Sequence, residues 1–393
     1  MNILAVCHFG LYSDLTSSFV HNQMKEFAAL GHRVRVIIPN GVGKRGRDGK
    51  NLDLGLRISE ADGVELCDLR YLTLGAYGEK FFNSSSAIAA IGLQRRRILD
   101  DFQPDVLHVH TLGFDSEIGA WLKKEFSCPA VVTTHGSDTA VPMANGKAPE
   151  LCKTADKMDC IVAVSRQLGR QVERCGTKTP VRCIHNGFVP HRFEETAEKD
   201  PYAMIQVGHL IPSKRTEITI RAFARLKAKY PKLTLKIVGT GHLRQSLEEL
   251  CRQLEVEDAV TFTGQLPNRD VAAAMQKASY FVMASKPEGF GIVYLEAMAA
   301  GCVTVGTQDQ GIADVITHGE NGFLVPADDV DAVAAVIERC MADPEKRNEI
   351  AENAKVLAAG MTWAENAEKY MALFRKLLTE YRNRENQTGG TAV

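Results

Sequence analysis

No CxxC pair occurs among the ten cysteines of this 393-residue chain, so neither a zinc ribbon nor a thioredoxin-like redox motif is written into it. Several cysteines, Cys7, Cys160 and Cys302 among them, sit inside apolar runs, as reduced core residues of a cytoplasmic protein do. No apolar stretch approaches the roughly 20 residues that a spanning helix needs. The start Met1-Asn-Ile-Leu-Ala-Val-Cys7 is strand-like and carries no basic leader, so no secretory signal is expected, and the cytoplasm is the expected location. There is no basic excess either: the net charge of -1 argues against a dedicated nucleic-acid binder. Repeats at solenoid periods are missing. The loop after the first strand holds only Gly10 and lacks GxGxxG, which weakens a dinucleotide-dehydrogenase reading.

What is present is ordinary globular composition, 45% hydrophobic and 24% charged, in a chain longer than one core usually serves. Two domains of just under 200 residues are expected. Strand and helix patterns alternate. A strand near 2–7 precedes a helix from about Ser18 with Val20, Met24, Phe27 and Leu30 inward and Gly31 as its cap. Strands follow over 33–38, ending at Pro39, then over 106–109, 130–134 and 161–164. A second series has strands at 203–207, 233–238, 260–262, 279–283 and 303–305, with helices over 216–229 and 243–254. Such alternation predicts doubly wound α/β domains with ligands at the carboxyl ends of the strands. The polar stretch 190–199 is the expected hinge.

The most informative segment is Lys286-Pro-Glu-Gly-Phe-Gly-Ile-Val-Tyr-Leu-Glu296. An apolar strand leads into it, and a helix is expected from about Ile292, with Leu295, Met298, Ala299 and Cys302 facing the core. Gly289 and Gly291 let the backbone turn and a ligand approach, while the first helix amides favour an anion or sugar hydroxyls. Glu288 stands at the mouth of that site, and Glu296, about one turn into the helix, can accept hydrogen bonds from a ribose diol.

The pattern Glu288-Gly-Phe-Gly-x-x-x-Leu-Glu-Ala-Met-Ala-x-Gly301 resembles the signature of family 4 (group 1) retaining glycosyltransferases. The resemblance covers nearly the whole chain. It implies the GT-B fold: α/β, two facing Rossmann-like doubly wound domains with a C-terminal helix crossing back to the first. The implied organisation is 1–192 for the acceptor-side domain, 193–361 for the nucleotide-sugar domain, 362–382 for the crossover helix and 383–393 for a disordered tail. Glu288 would lie near the donor sugar, the amides from Gly289 through Phe290 to Gly291 would bind its hydroxyls, and Glu296 would hold the ribose, with Leu295 in the same donor-side set.

A second motif, Val207-Gly-His-Leu-Ile-Pro-Ser-Lys-Arg215, follows the first strand of the second half. Gly208 permits close approach, and Lys214 offers a point charge to a diphosphate. In the resembling enzymes an arginine stands at the place of His209, so either His209 donates a neutral hydrogen bond or Arg215 helps. Gly239, in Val238-Gly-Thr-Gly-His242, would lie near the nucleotide base. On the first domain, His135-Gly-Ser-Asp138 follows a strand, and the resemblance places His135 at the reaction centre; Asp138 orients the loop as a cap or a partner of His135. Gly10 and Asp138 are the acceptor-side candidates. His108 and His110 are expected on opposite faces of their strand, which argues against a histidine metal cluster. Asn186-Gly187 reads as a hinge-side turn.

The expected reaction is transfer of a hexose-type sugar from a UDP- or GDP-sugar to an acceptor hydroxyl with retention, catalysed by His135, Lys214 and Glu288. No divalent metal or other cofactor is expected: no DxD element stands at a strand end, and Asp328-Asp329 reads as a helix cap. Polysaccharide, cell-wall or glycolipid synthesis is the expected context, with a carbohydrate or lipid-linked acceptor. The run from Phe81-Phe82 through Ala87 to Arg97 either packs in the core or lies against anionic lipid at the inner face of the membrane. A GT-B epimerase, a phosphorylase and a silent nucleotide-sugar-binding protein are the alternatives.

Overall fold

The computed structural model describes residues 1–8, 18–42, 54–72, 84–144, 146, 148–190 and 198–389. Two compact units emerge: Met1–His185 together with Trp363–Val393, and Asn186–Thr362. The boundary expected at 192/193, most of the expected hinge, Gly10, Phe81 and Phe82 lie outside the described residues.

The strands of the first unit are β1 (Asn2–Val6), β2 (Arg33–Val42), β3 (Gly55–Ala61), β4 (Val64–Leu72), β5 (Val106–His110), β6 (Ala130–Thr134), β7 (Cys160–Ala163) and β8 (Val181–Cys183). They form one sheet in the order β3-β4-β2-β1-β5-β6-β7-β8. All pairings are parallel except β3 with β4. Its helices are α1 (Ser18–Ala29), α2 (Ser84–Leu93), α3 (Arg95–Leu99), α4 (Phe114–Phe126), α5 (Ser137–Ala144), α6 (Ala148–Ala155) and α7 (Arg166–Arg174).

In the second unit β9 (Asp200–Val207), β10 (Thr234–Val238), β11 (Val260–Gly264), β12 (Ala278–Val282), β13 (Val303–Thr307) and β14 (Phe323–Val325) order as β11-β10-β9-β12-β13-β14, all parallel. Its helices are α8 (Thr216–Lys229), α9 (Arg244–Gln253), α10 (Asn268–Lys277), α11 (Ile292–Ala299), α12 (Val330–Ala342) and α13 (Pro344–Ala359). The last helix, α14 (Trp363–Gly389), belongs to the first unit. There Tyr370, Met371 and Phe374 enter the same core as Val20, Met24 and Phe27 of α1.

The central strands β5, β6, β7, β12 and β13 are buried along their whole length, so they read as nearly continuous apolar runs. Each sheet reverses its winding once. In the first unit β2 lies to one side of β1 and β5 to the other; in the second, β10 and β12 flank β9. The crevices at the carboxyl ends of β1/β5 and β9/β12 are therefore topological switch points, where open α/β sheets take up ligands.

Four expectations need correction. Strand β2 runs through Pro39 to Val42, because β1 pairs with it only as far as Ile37, and the proline N–H is not missed where one neighbour is gone. Leu30 is 40% exposed, since α1 ends at Ala29 and the chain turns away. Ala299 is only half-buried; Ala300 takes the core position instead. Helix α14 continues past residue 382 to Gly389. Once the packed turns have nucleated the helix, adding residues such as Arg384 and Gln387 needs only propagation.

The antiparallel hairpin β3–β4 was not expected. Its turn is Asp62-Gly63, both at positive φ (53° and 77°), the backbone that a two-residue hairpin requires. Helices α2 and α3 bury Ala87, Ile91, Ile98 and Leu99 in the first core. Arg95 pairs with Glu125, and Leu93 alone stands 87% exposed. Among the described residues no helix is long and apolar enough to cross a membrane.

Candidate active site

In the second unit the chain leaves β9 at Val207 and passes through Gly208 to a short 3-10 turn at Pro212–Lys214. This loop lies flat on the one after β10: the Gly208 and Leu210 amides donate to the Val238 and Thr240 carbonyls. The fit is so close that a Cβ on Gly239 would stand 2.0 Å from the Gly208 carbonyl oxygen. Gly239 thus serves the packing of one loop on another. His209 is exposed at the surface of this stack.

Lys214 ends the turn with its Nζ 2.5 Å from Glu288 Oε2; the two side chains are 20% and 12% exposed. Arg215 does not join them. It adopts the left-handed conformation (φ 49°), and its Nε lies 2.8 Å from Asp328 Oδ1. Asp329 caps α12 by accepting from the Ala332 amide.

Glu288 is fixed by its backbone as well as by Lys214. Its amide donates to Gln310 Oε1 at 2.8 Å, and its carbonyl accepts from Gly311. Gln310 is 6% exposed, and a Cβ on Gly311 would stand 2.1 Å from the Gly289 carbonyl oxygen. Gln310 and Gly311 are site-building residues that sequence reasoning missed. The available signal was Asp309-Gln-Gly311 just after a buried strand, the place where the other loops of the site begin.

Gly291, at φ 81°, is the N-cap of α11 and supplies no side-chain cap, so the first amides of the helix are left for other acceptors. Tyr294 ties α11 to the end of β12: its hydroxyl donates to the Met283 carbonyl at 2.6 Å and lies 2.9 Å from Ser285 Oγ. The side chains of Phe290 and Leu295 are 2% and 0% exposed, so both pack in the core, as expected for Leu295, and what Phe290 can offer a ligand is its backbone amide. Glu296 is different. Burial pushes its carboxyl above the ordinary value, and among the described residues no hydrogen bond compensates.

The first unit gathers histidines at its own strand ends. His135 follows β6, and its Nε2 lies 3.2 Å from His110 Nδ1, the rings stacked at 9° with centroids 5.4 Å apart. Asp138 holds the loop: Oδ1 accepts from the amides of His135 and Gly136, and Oδ2 from the amide of Leu112. Burial drives His135 down to about 4, only partly offset by Asp138. His108 and His110 were expected on opposite faces. Their ring centroids are 4.3 Å apart, because residues two apart on a pleated strand share a face. His108 Nε2 lies 2.9 Å from Thr133 Oγ1, which is 2.8 Å from the Tyr370 hydroxyl of α14. Burial, then the charge of His135, holds His108 down to about 3.

His8, just past β1, was also missed. Its Nδ1 lies 2.7 Å from Oδ2 of Asp115, which is 0% exposed and also accepts from Thr111 Oγ1 at 2.8 Å. Burial pulls His8 down, but the charge and hydrogen bond of Asp115 outweigh it and leave His8 raised. The signal was positional: a histidine just past an apolar strand, as His135 is. Ser165, 0% exposed, caps α7.

Two family models match the chain in succession, Glycosyltransferase Family 4 over residues 16–192 and Glycosyl transferases group 1 over residues 189–357. The chain is also 30% identical over 277 residues to an uncharacterized glycosyltransferase of Methanocaldococcus jannaschii, covering 64% of this chain and 70% of that protein. The chain belongs to the group 1, family 4 glycosyltransferases. The chain is also similar to N-acetyl-alpha-D-glucosaminyl L-malate synthase of Bacillus anthracis, 28% identical over 267 residues, covering 64% of this chain and 69% of that one. Among solved structures, HepE of Anabaena in complex with UDP and glucose superposes with a TM-score of 0.73 at 19% identity, covering 96% of this chain and all of that one. Sucrose-phosphate synthase of Thermosynechococcus elongatus gives 0.74 at 20%, covering 97% and 100%. The fold of this glycosyltransferase is GT-B.

Proposed function

We propose that this glycosyltransferase moves a hexose-type sugar from a nucleoside-diphosphate sugar, a UDP- or GDP-sugar, to an acceptor hydroxyl with retention. The second unit holds the donor, and the acceptor is a carbohydrate or lipid-linked alcohol of polysaccharide, cell-wall or glycolipid synthesis. The observation that carries this reading is the set at the β9/β12 switch point: Lys214 paired with Glu288, an α11 N-terminus without a side-chain cap, and Glu296 partly buried with no partner among the described residues. A cation and helix amides suit the charge that builds on a departing diphosphate. An enclosed carboxylate suits a vicinal diol, whose two hydroxyls would supply the missing donors. The charge stabilisation comes from Lys214 and backbone amides, so the reading includes no metal or other cofactor. Complexes of a similar fold with UDP and with UDP-glucose support the donor class.

A thermal-shift panel of UDP, GDP, ADP and their sugars, followed by nucleotide-release assays and by proton NMR of the anomeric configuration, tests the reading. Stabilisation by one diphosphate family and an unchanged anomeric configuration are expected. Failure of every diphosphate to bind overturns it, and an inverted product overturns the stereochemistry.

A further inference from the structure

Strand β9 buries the apolar Met204 and Ile205 and then an amide, Gln206, which is 2% exposed. An apolar side chain would fill that place without losing hydration, so the amide sits there at a cost that its hydrogen bonds must offset. Gln206 Nε2 donates to the Lys214 carbonyl at 3.3 Å and to Thr216 Oγ1 at 2.9 Å. A carbonyl can only accept, which fixes the orientation of the amide: the nitrogen faces the turn. The oxygen, Oε1, is left buried with no hydrogen-bond partner. The two groups that Gln206 grips stand on either side of Arg215, a non-glycine residue held at φ 49°. Such a backbone persists only where its surroundings over-determine it.

The rest of the turn is tied from its own backbone. The Lys214 amide donates to the Ile211 carbonyl at 3.0 Å, and the Ser213 carbonyl accepts from the Lys286 amide at 2.7 Å, which joins the turn to the segment carrying Glu288. The aliphatic stem of Lys214 then runs over Gly208, where an added Cβ would stand 3.8 Å from Lys214 Cγ, and Nζ reaches Glu288. The aim of the ammonium is therefore set by the Lys214 main chain, and among the described residues Gln206 is the side chain that holds the Lys214 carbonyl.

We infer that Gln206 is a positioning residue for Lys214: its carboxamide fixes the Pro212–Lys214 turn so that the ammonium is pre-aligned for the diphosphate. This role rests on the reading given above, that Lys214 offers its charge to the departing group. Gln206 is enclosed and acts through Lys214, not on a ligand. A cation stabilises growing charge well only where it needs no rearrangement at the moment of bond breaking, and holding it still is the work left to a buried amide.

Gln206→Met keeps the reach of the side chain and removes the donor. Wild-type protein, Gln206→Met, Lys214→Ala and the double variant would be compared by nucleotide release, with UDP-glucose, UDP-N-acetylglucosamine and GDP-mannose as donors and with water and methyl glycosides as acceptors. Gln206→Met should lower turnover at saturating donor by roughly 10- to 100-fold, the scale of a small misplacement of a reacting group, and change KM less. Added to Lys214→Ala it should cost under about 2-fold, because the group it positions is already gone. Independently of any substrate, trypsin should cut after Lys214 or Arg215 faster in Gln206→Met than in wild type, with cutting elsewhere unchanged. Thr216→Val, which removes the second group that Gln206 grips, should show the same pattern at smaller size and carries the test if Gln206→Met does not fold. An equal loss in both backgrounds, wild-type turnover in Gln206→Met, or unchanged cutting after Lys214 and Arg215 overturns the positioning role. If no diphosphate binds the wild-type protein, or Lys214→Ala turns over as wild type, the donor reading fails and this role falls with it; nucleotide binding together with an additive cycle strikes Gln206 alone.

Discussion

Lys214 Nζ lies 2.5 Å from Glu288 Oε2, and the two residues reach that position from β9 and β12, which are sheet neighbours although 74 residues separate the pair. The parallel sheet thus brings together a cation and a carboxylate that no local pattern joins. Both are mostly enclosed, so the pair is screened less than a surface ion pair would be.

In the proposed reaction Lys214 is the cation offered to the diphosphate. Lys214→Ala should cut turnover at saturating donor by about 10² or more, the loss typical of one charge-stabilising donor. Nucleotide release measured under saturation decides it; near-wild-type turnover removes Lys214 from the mechanism.

Glu296 separates binding from stability. The carboxylate is raised by burial and uncompensated, so Glu296→Gln should leave the melting temperature unchanged or higher. The same change should weaken free nucleotide by roughly 10- to 100-fold, as loss of charged hydrogen bonds does. Calorimetry and a thermal melt on one sample read both, and unchanged affinity contradicts a ribose contact.

Gly311 packs against the backbone of the loop proposed to hold the donor. In Gly311→Ala the new methyl would meet the Gly289 carbonyl oxygen at 2.1 Å and the Phe290 Cα at 2.6 Å, both backbone atoms. The loop must move, so thermal stability and nucleotide affinity should fall together. A variant that matches wild type in both shows that the loop tolerates displacement.

Acid should unfold the first unit early. His108 and His135 are held down to about 3 and about 4, chiefly by burial, and His110 is also lowered. Between about pH 6.5 and those values the unfolded chain binds protons that the folded unit refuses, so stability falls as pH falls. His8 has the opposite sign: its raised value adds stability that is fully present below its unfolded pKa and lost as pH rises through the folded one. Three groups oppose one, and the net loss should reach a few kcal/mol, on the scale of about 1.4 kcal/mol per pKa unit. The two tryptophans, Trp121 and Trp363, both belong to this unit, so their fluorescence reports it alone. A urea midpoint equal at pH 7 and pH 4.5 contradicts the argument.

Much of the fold was legible because the second sheet, and the first apart from its edge hairpin β3–β4, are parallel with buried central strands. Their strands are short apolar runs, and β6 and α8 occur over the residues expected. The hairpin β3–β4 was harder to see: β3 exposes most of its residues at the sheet edge, leaving only Asp62-Gly63 as a signal. At the proposed donor site, the placing of Glu288 on a loop and Glu296 on the helix after it was readable because one segment carries both. Gln310 was not, since its partner lies 22 residues away in a loop reached through another strand. The face shared by His108 and His110 follows from strand periodicity alone and was nonetheless assigned the wrong way round.

Helix α14 closes a core whose other members precede residue 186, whereas the second unit is one uninterrupted stretch. During synthesis the later stretch has everything it requires first, and the earlier one must wait with Val20, Met24 and Phe27 uncovered until Tyr370 and Phe374 emerge. Ending translation at Thr362 would therefore leave a sound second half tethered to a first half with an oily, sticky flank.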